Sequence, residues 1–222
     1  MSPELIALLA TATWQTLYMV AASGLIGTLI GLPLGAFLAT SRRGELFAAP
    51  AVNGVLGLVV NAMRSIPFII LVVAIIPLTR AIAGTSIGTT AAIVPLTLAA
   101  APFIARIVES AIREVDHGLI DAARAMGATP MQIVRKVLLP EALPGMVLGL
   151  TLAAVSLIGY SAMVGAVGGE GLGDLGIRYG YQRFMPDVMA AVVVILIVMV
   201  QAVQLIGEGI ARRLDKRSVR GR

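Results

Sequence analysis

Residues 14–39 read WQTLYMVAASGLIGTLIGLPLGAFLA, a run with no charged side chain. A helix needs about 20 residues to cross about 30 Å of hydrocarbon at 1.5 Å per residue. This run is long enough to do so. It is also too long for the apolar segment of a signal peptide, and no Lys or Arg precedes Arg42 to give a basic flank. The run is therefore expected to stay as a membrane span. Its neighbours extend the reading. The whole chain of 222 residues is 58% apolar and 13% charged, against about half and about a quarter in a soluble domain. A soluble fold of this size has too little interior for that much apolar surface. Lipid accepts it, provided the backbone satisfies its own hydrogen bonds as helix.

Five spans are expected, at about 14–39, 51–78, 89–107, 145–167 and 187–206. The cationic residues fix an orientation. With the N-terminus outside, Arg42 and Arg43 fall inside, as do Arg106, Arg113, Arg124, Arg135 and Lys136 around a loop at 116–144. A basic tail at 211–222 adds Arg212, Arg213, Lys216, Arg217, Arg220 and Arg222. Arg80, Arg178 and Arg183 fall outside. Thirteen cations inside against three outside favour an N-out, C-in topology. The charges lie between apolar runs and in the tail, so the net charge of +5 reflects topology and not a nucleic-acid-binding face. Membrane lipid is the surrounding medium. Small residues recur every four positions at Ser23, Gly27, Gly31 and Gly35, and again at Gly145, Gly149 and Ala153. That spacing lets helix backbones approach closely in lipid.

Several chemistries are excluded or disfavoured. With no cysteine there is no disulfide, zinc-thiolate or cysteine nucleophile. His117 is the only histidine, read as a loop residue beside Asp116, and no metal site can be assembled around it. A P-loop needs Gly directly before its Lys. Lys136 follows Arg135 and Lys216 follows Asp215, so the chain has no P-loop. Gradient-driven carriers usually carry mid-membrane charges and internal repeats. Here Arg64 is the only charge well inside a span, and no matching halves are visible. A pore-forming subunit driven by a partner, a passive channel and a non-transporting membrane assembly subunit remain.

The loop GLIDAARAMGATPMQIVRKVLLPEALP, residues 118–144, contains two short helices by its capping signals. The first is expected over about 119–126, with Gly127 as the left-handed residue after it. The second has Thr129 as N-cap, Pro130 at the first helical position and Gln132 three residues after the cap. It is expected to stop near Leu139, where Pro140 removes an N–H. Ala122, Ala123 and Ala125 give the first helix almost no bulk. That suits docking in a groove on another protein, or equally a helix lying on the membrane surface.

Asp121-Ala122-Ala123, then Gly127, then Val137-Leu138-Leu139-Pro140 resembles the EAA loop of ABC-importer permeases. Nine residues separate Gly127 from Val137, as in that pattern; Asp121 stands for Glu and Val137 for Ile. Further stretches are similar to the permeases of methionine importers: Arg64-Ser65-Ile66-Pro67-Phe68, Gly84-Thr85-Ser86-Ile87-Gly88, residues 101–106, Gly159-Tyr160-Ser161-Ala162-Met163, and residues 124–145. The resemblance runs from about Trp14 to Gln204.

It implies an all-α integral membrane protein, with 1–222 forming one ABC type-1 transmembrane domain in a bacterial cytoplasmic (inner) membrane. It implies import of methionine, in L- and D-forms, with another amino acid or small solute as the alternative cargo. The expected partners are a second copy of the chain, a cytoplasmic ABC ATPase dimer and an extracytoplasmic methionine-binding protein. This chain would be no enzyme and hold no cofactor, ATP and magnesium being bound by the ATPase. Asp121, Ala122, Ala123, Arg124, Ala125, Met126, Gly127 and Pro140 would couple the permease to that ATPase. A bulky or charged residue at Ala123 is expected to abolish transport and leave membrane insertion intact.

Arg64 and Ser65 beside Pro67, and Tyr160, Ser161 and Met163 in the fourth span, are candidates for the translocation pathway. Arg64 could equally bond carbonyls freed near Pro67, and the residues of the fourth span could simply pack. The glycine-rich segment 165–186 is read either as a docking loop for a binding protein or as a flexible connector.

Overall fold

The computed structural model describes residues 3–215, and every regular element among them is helical. Lys216, Arg217, Arg220 and Arg222 of the basic tail lie outside the described residues. Four helices are long and apolar enough to cross a membrane: α1 (Pro3–Thr40), α5 (Thr89–Arg113), the run Pro130–Gly165, and α10 (Pro186–Leu214). The expected span at 51–78 is not one helix. It consists of α2 (Pro50–Ser65), α3 (Phe68–Ala74) and the start of α4 (Ile76–Ala83), with α2 and α3 bent by 101°. The break lies at Ile66-Pro67. Proline pushes the residue before it out of the helical region, and Ile66 is extended, at φ −78° and ψ 125°. Pro77 then sits in the first turn of α4. Counting the bent pair as one span gives the five expected.

The run Pro130–Gly165 corrects a second expectation. The helix does not end at Pro140. It passes from α7 (Pro130–Ile133) through a π-helical turn over Val134–Leu138 into α8 (Leu139–Gly165). The Leu139 N–H reaches back to the Val134 carbonyl. This wider turn sits directly before the proline, which falls in the first turn of α8, where a missing N–H costs little.

Helix α5 is the centre of the bundle. Gly27, Gly31 and Gly35 of α1 bring that helix against Ala100, Ala101, Ile104, Ala105 and Val108 of α5. A methyl group at Gly31 would lie 2.7 Å from the Ala101 carbonyl oxygen and 2.9 Å from Ile104 Cβ. The small-residue stripe is therefore a contact between backbones, and α5 is its partner. On the other side Gly149 and Gly145 of α8 face Ile107 and Ala111 of the same helix. Outward from this core, large apolar side chains such as Leu25, Leu29, Leu58, Ile70, Val194 and Ile197 are exposed, as expected of surfaces that meet lipid or another membrane subunit.

Candidate functional site: the loop after α5 and the pathway face

The loop begins three residues after α5 ends. Asp116 caps α6 (His117–Ala125), its carboxylate accepting from the Gly118 N–H at 2.7 Å. His117 is thus the first helical residue and not a loop residue. At the other end Gly127 is left-handed, at φ +77°. Its N–H donates to the Arg124 carbonyl and the Ala128 N–H to the Ala123 carbonyl, a Schellman closure. Thr129 and Gln132 then form the expected reciprocal box, each side chain bonded to the other's backbone N–H.

The helix has two distinct faces. Ile120 and Ala123 point inward and are buried with Ile133, Val134 and Leu138. Asp121, Ala122, Arg124, Ala125, Met126 and Gly127 are exposed, as is Pro140. Met126 is 81% exposed, the most exposed large apolar side chain of the loop. Asp121 and Arg124 pair across one turn at 3.6 Å. The loop is thus a packed foot with a small, partly apolar sole, and Ala123 belongs to its interior.

A charge cluster lies on the bundle just before this foot. Glu109, on the last turns of α5, is buried and faces three arginines. Arg42, just after α1, reaches one carboxylate oxygen at 2.9 Å, and Arg113 approaches the same oxygen at 3.9 Å. Arg106 pairs with the other oxygen and also donates to the Gly57 carbonyl of α2 at 2.8 Å. One carboxylate thereby joins α1, α2 and α5 a short distance before the foot. Only the 106, 109, 113 spacing hinted at the cluster. Glu109 is buried but its arginines are partly exposed, so its removal loses charge-assisted hydrogen bonds and leaves cations that water can reach, at about 1.5–3 kcal/mol. Glu109→Ala is expected to lower the melting temperature of the purified protein by several degrees, and Glu109→Gln by less. Unchanged melting of both variants would show the cluster to be dispensable.

The candidate pathway residues divide. Arg64 and Tyr160 meet at one pocket between α2, α3, α5 and α8, with Phe68 and Phe103. The Phe68 and Tyr160 rings stack with centroids 4.5 Å apart and planes 14° from parallel. The Arg64 guanidinium lies over the Phe103 ring, 5.7 Å from its centroid. The hydrogen bond to freed carbonyls considered for Arg64 does not occur among the described residues. Ser65 is exposed and bonds the Asn61 carbonyl, Ser161 is buried and bonds the Ile158 carbonyl, and Met163 is exposed. None of these three lines the pocket.

The glycine-rich segment is no loose connector. Its short helix α9 (Gly171–Leu175) buries Leu172 and Leu175. Gly173 lies against the backbone of Ala162, closer than any side chain would allow. Glu170 accepts from Gln15 Nε2 at 2.8 Å and from Thr89 Oγ1 at 2.6 Å, tying the segment to α1 and α5. Its backbone sits at φ +60°, strained for a residue with a side chain. Nearby, the Asp174 hydrogen bond raises the pKa of Arg178, against the opposing effect of burial.

With this geometry in place, the comparisons with known proteins identify the family. Residues 31–220 match the model of the binding-protein-dependent transport system inner membrane component. The chain belongs to this family. It is accordingly a multi-pass inner-membrane protein. Among family members, a Vibrio cholerae protein named "Probable D-methionine transport system permease protein MetI" is 57% identical over 95% of this chain and 93% of its own length. The D-methionine transport system permease protein MetI of Escherichia coli K12 is 57% identical over 74% of this chain and 76% of its own. A solved structure described as inward facing conformations of the MetNI methionine ABC transporter superposes with a TM-score of 0.95 at 53% identity. It covers 97% of this chain and 100% of the other. An amino acid ABC transporter crystallised with histidines shares the fold, at a TM-score of 0.79 and 20% identity over 95% of each chain.

Proposed function

We propose that this protein is the membrane permease of an ATP-driven methionine importer, acting as a homodimer with two copies of a cytoplasmic ABC ATPase and an external methionine-binding protein. The observation that carries this reading is the match of nearly the whole chain, at 53% identity and a TM-score of 0.95, to a chain of a methionine ABC transporter. The chain itself catalyses no reaction in this reading; ATP and magnesium are held by the ATPase. N-out, C-in topology puts the α6–α7 foot in the cytosol.

The foot is the coupling element. The sole formed by Asp121, Ala122, Arg124, Ala125, Met126 and Gly127 rests in a cleft of the ATPase. Ala123 keeps the sole in shape from within, and Pro140 marks where the foot rejoins α8. When ATP closes the ATPase dimer, the sole is carried with it. The displacement reaches α5 through a three-residue connector, and the Glu109 cluster passes it to α1 and α2. Arg64, Ser65, Tyr160, Ser161 and Met163 belong to the helices between which the cargo moves.

Co-expression with a P-loop ATPase of the methionine-importer class tests the reading. The two chains should co-purify in mild detergent. Cells carrying both together with the binding protein should take up labelled methionine in an ATP-dependent way, with other amino acids competing poorly. Uptake of a different amino acid in preference to methionine would reassign the cargo. Uptake insensitive to ATP depletion would remove the importer reading.

A further inference from the structure

We propose that the pocket between α2, α3, α5 and α8 is a binding subsite for the transported amino acid on its way through the membrane, with Arg64 holding the substrate carboxylate and the Phe68–Tyr160 pair holding its thioether side chain. The inference rests on the methionine-importer reading above and adds a location and a chemistry to it.

Arg64 lies one turn before the Pro67 break, between apolar runs. A lone cation at span depth costs about 2.5–3.5 kcal/mol on insertion scales, so such residues face protein or a water-filled path and find a partner. Arg42, Arg106 and Arg113 share Glu109, Arg124 has Asp121, and Arg178 has Asp174, whereas Arg43, Arg80, Arg135, Arg183, Arg212 and Arg213 make no ion pair among the described residues but lie outside the expected spans, where water can serve them. Among the described residues Arg64 has no carboxylate within ion-pair distance, and it lies over the face of Phe103. A guanidinium over an aromatic face keeps its edge free. That edge presents N–H donors in a fork suited to a carboxylate.

The rest of the pocket suits the other end of the ligand. Its volume is about 180 Å3, and Met63, Phe68, Leu71, Ala99 and Tyr160 line it beside the arginine. Sulfur makes favourable contacts with aromatic rings, often at the ring edge. The stacked Phe68 and Tyr160 rings offer such edges on one wall, and Met63 adds a second soft group. One cation next to an apolar, aromatic and sulfur-bearing wall fits an amino acid with a long uncharged side chain. It does not favour a cationic or a sugar substrate. Phe68 stands on α3 and Tyr160 on α8, so a relative shift of these helices opens or closes the aromatic wall. Holding would therefore be transient, as transport requires.

Photo-crosslinking of the purified permease–ATPase complex in nanodiscs, with a diazirine analogue of methionine, tests this. Labelling is expected on the peptides containing Phe68 or Tyr160. Methionine should compete at least tenfold better than methioninol, which lacks the carboxylate, since a charge-assisted hydrogen bond carries about ten- to a hundredfold in affinity. Arg64→Gln should remove that preference, and Arg64→Lys should keep part of it. Co-purification of the ATPase with each variant reports intact assembly. Labelling confined to other peptides would overturn the subsite. So would an assembled Arg64→Gln complex that retains the preference for methionine over methioninol. ATP-driven methionine uptake by the wild-type complex is measured in parallel in proteoliposomes with the binding protein outside. If it is absent, the importer reading fails; if it is present while the labelling result is negative, only the subsite fails.

Discussion

Gly31→Leu is expected to prevent stable assembly of the bundle, so that the protein is lost to degradation in cells or precipitates in mild detergent. Even a bare Cβ at this position would meet the Ala101 carbonyl at 2.7 Å and Ile104 Cβ at 2.9 Å. Neither is the far end of a flexible side chain. One is backbone and the other is the branched root of a buried residue, so α1 and α5 would have to separate. Overpacking by a few methylenes costs about 1–3 kcal/mol where the site can adjust. Here adjustment means opening the largest contact in the molecule, and leucine should exceed that range. Gly31→Ala should destabilise by an amount within it. Gly209→Ala provides the control: nothing lies within 4 Å of that position, so the same change should be neutral or slightly stabilising through helix propensity. Size-exclusion profiles and thermal unfolding of the three variants decide. If Gly31→Leu elutes and melts like wild type, the close α1–α5 packing is wrong.

Met126→Asp is expected to reduce ATP-driven uptake at least tenfold and to lose the ATPase on purification, with the permease still inserted and folded. Met126 is the large apolar side chain on the sole of the foot and touches little of its own chain. A central apolar anchor in an interface commonly contributes 2 kcal/mol or more. A carboxylate in its place would be desolvated in the cleft, adding a further cost. Met126→Leu should be close to wild type. Ala123→Asp should also fail, for a different reason. That alanine is buried within the foot, so a charge there disturbs the packing against Ile133 and Leu138 and should expose the loop to protease. Loss of coupling with an intact foot in one variant, and with a loosened foot in the other, separates the outer face from the inner. Full ATPase association by Met126→Asp would place the contact elsewhere.

The spans were legible because each is a long apolar run, and the loop because its caps are local. Asp116, Gly127, Thr129 and Gln132 each act within a few residues of themselves, so their roles can be read directly. Non-local features were not legible. Nothing near Glu109 in the sequence points to Arg42, the partner that joins α1 to it from 67 residues away. Glu170 gave no sign that it would meet Thr89, 81 residues distant. The inward orientation of Ala123 was legible: α6 is amphipathic, and Ala123 lies one turn after Ile120 on its apolar face. Pro67 and Pro140 show how far a local rule goes. Both lack an N–H, yet Pro67 breaks its span by 101° and Pro140 is carried within a continuous helix. The difference lies in what precedes them, an extended isoleucine in one case and a π-helical turn in the other.

In the proposed function this bundle moves methionine uphill only when a partner ATPase drives it through the foot. The direct measurement is accumulation of labelled methionine in proteoliposomes holding the permease alone or the permease with its ATPase, with the binding protein and methionine outside and ATP sealed within. Accumulation above the external concentration should require both chains and ATP. Accumulation by the permease alone, or by the complex without ATP, would contradict the account.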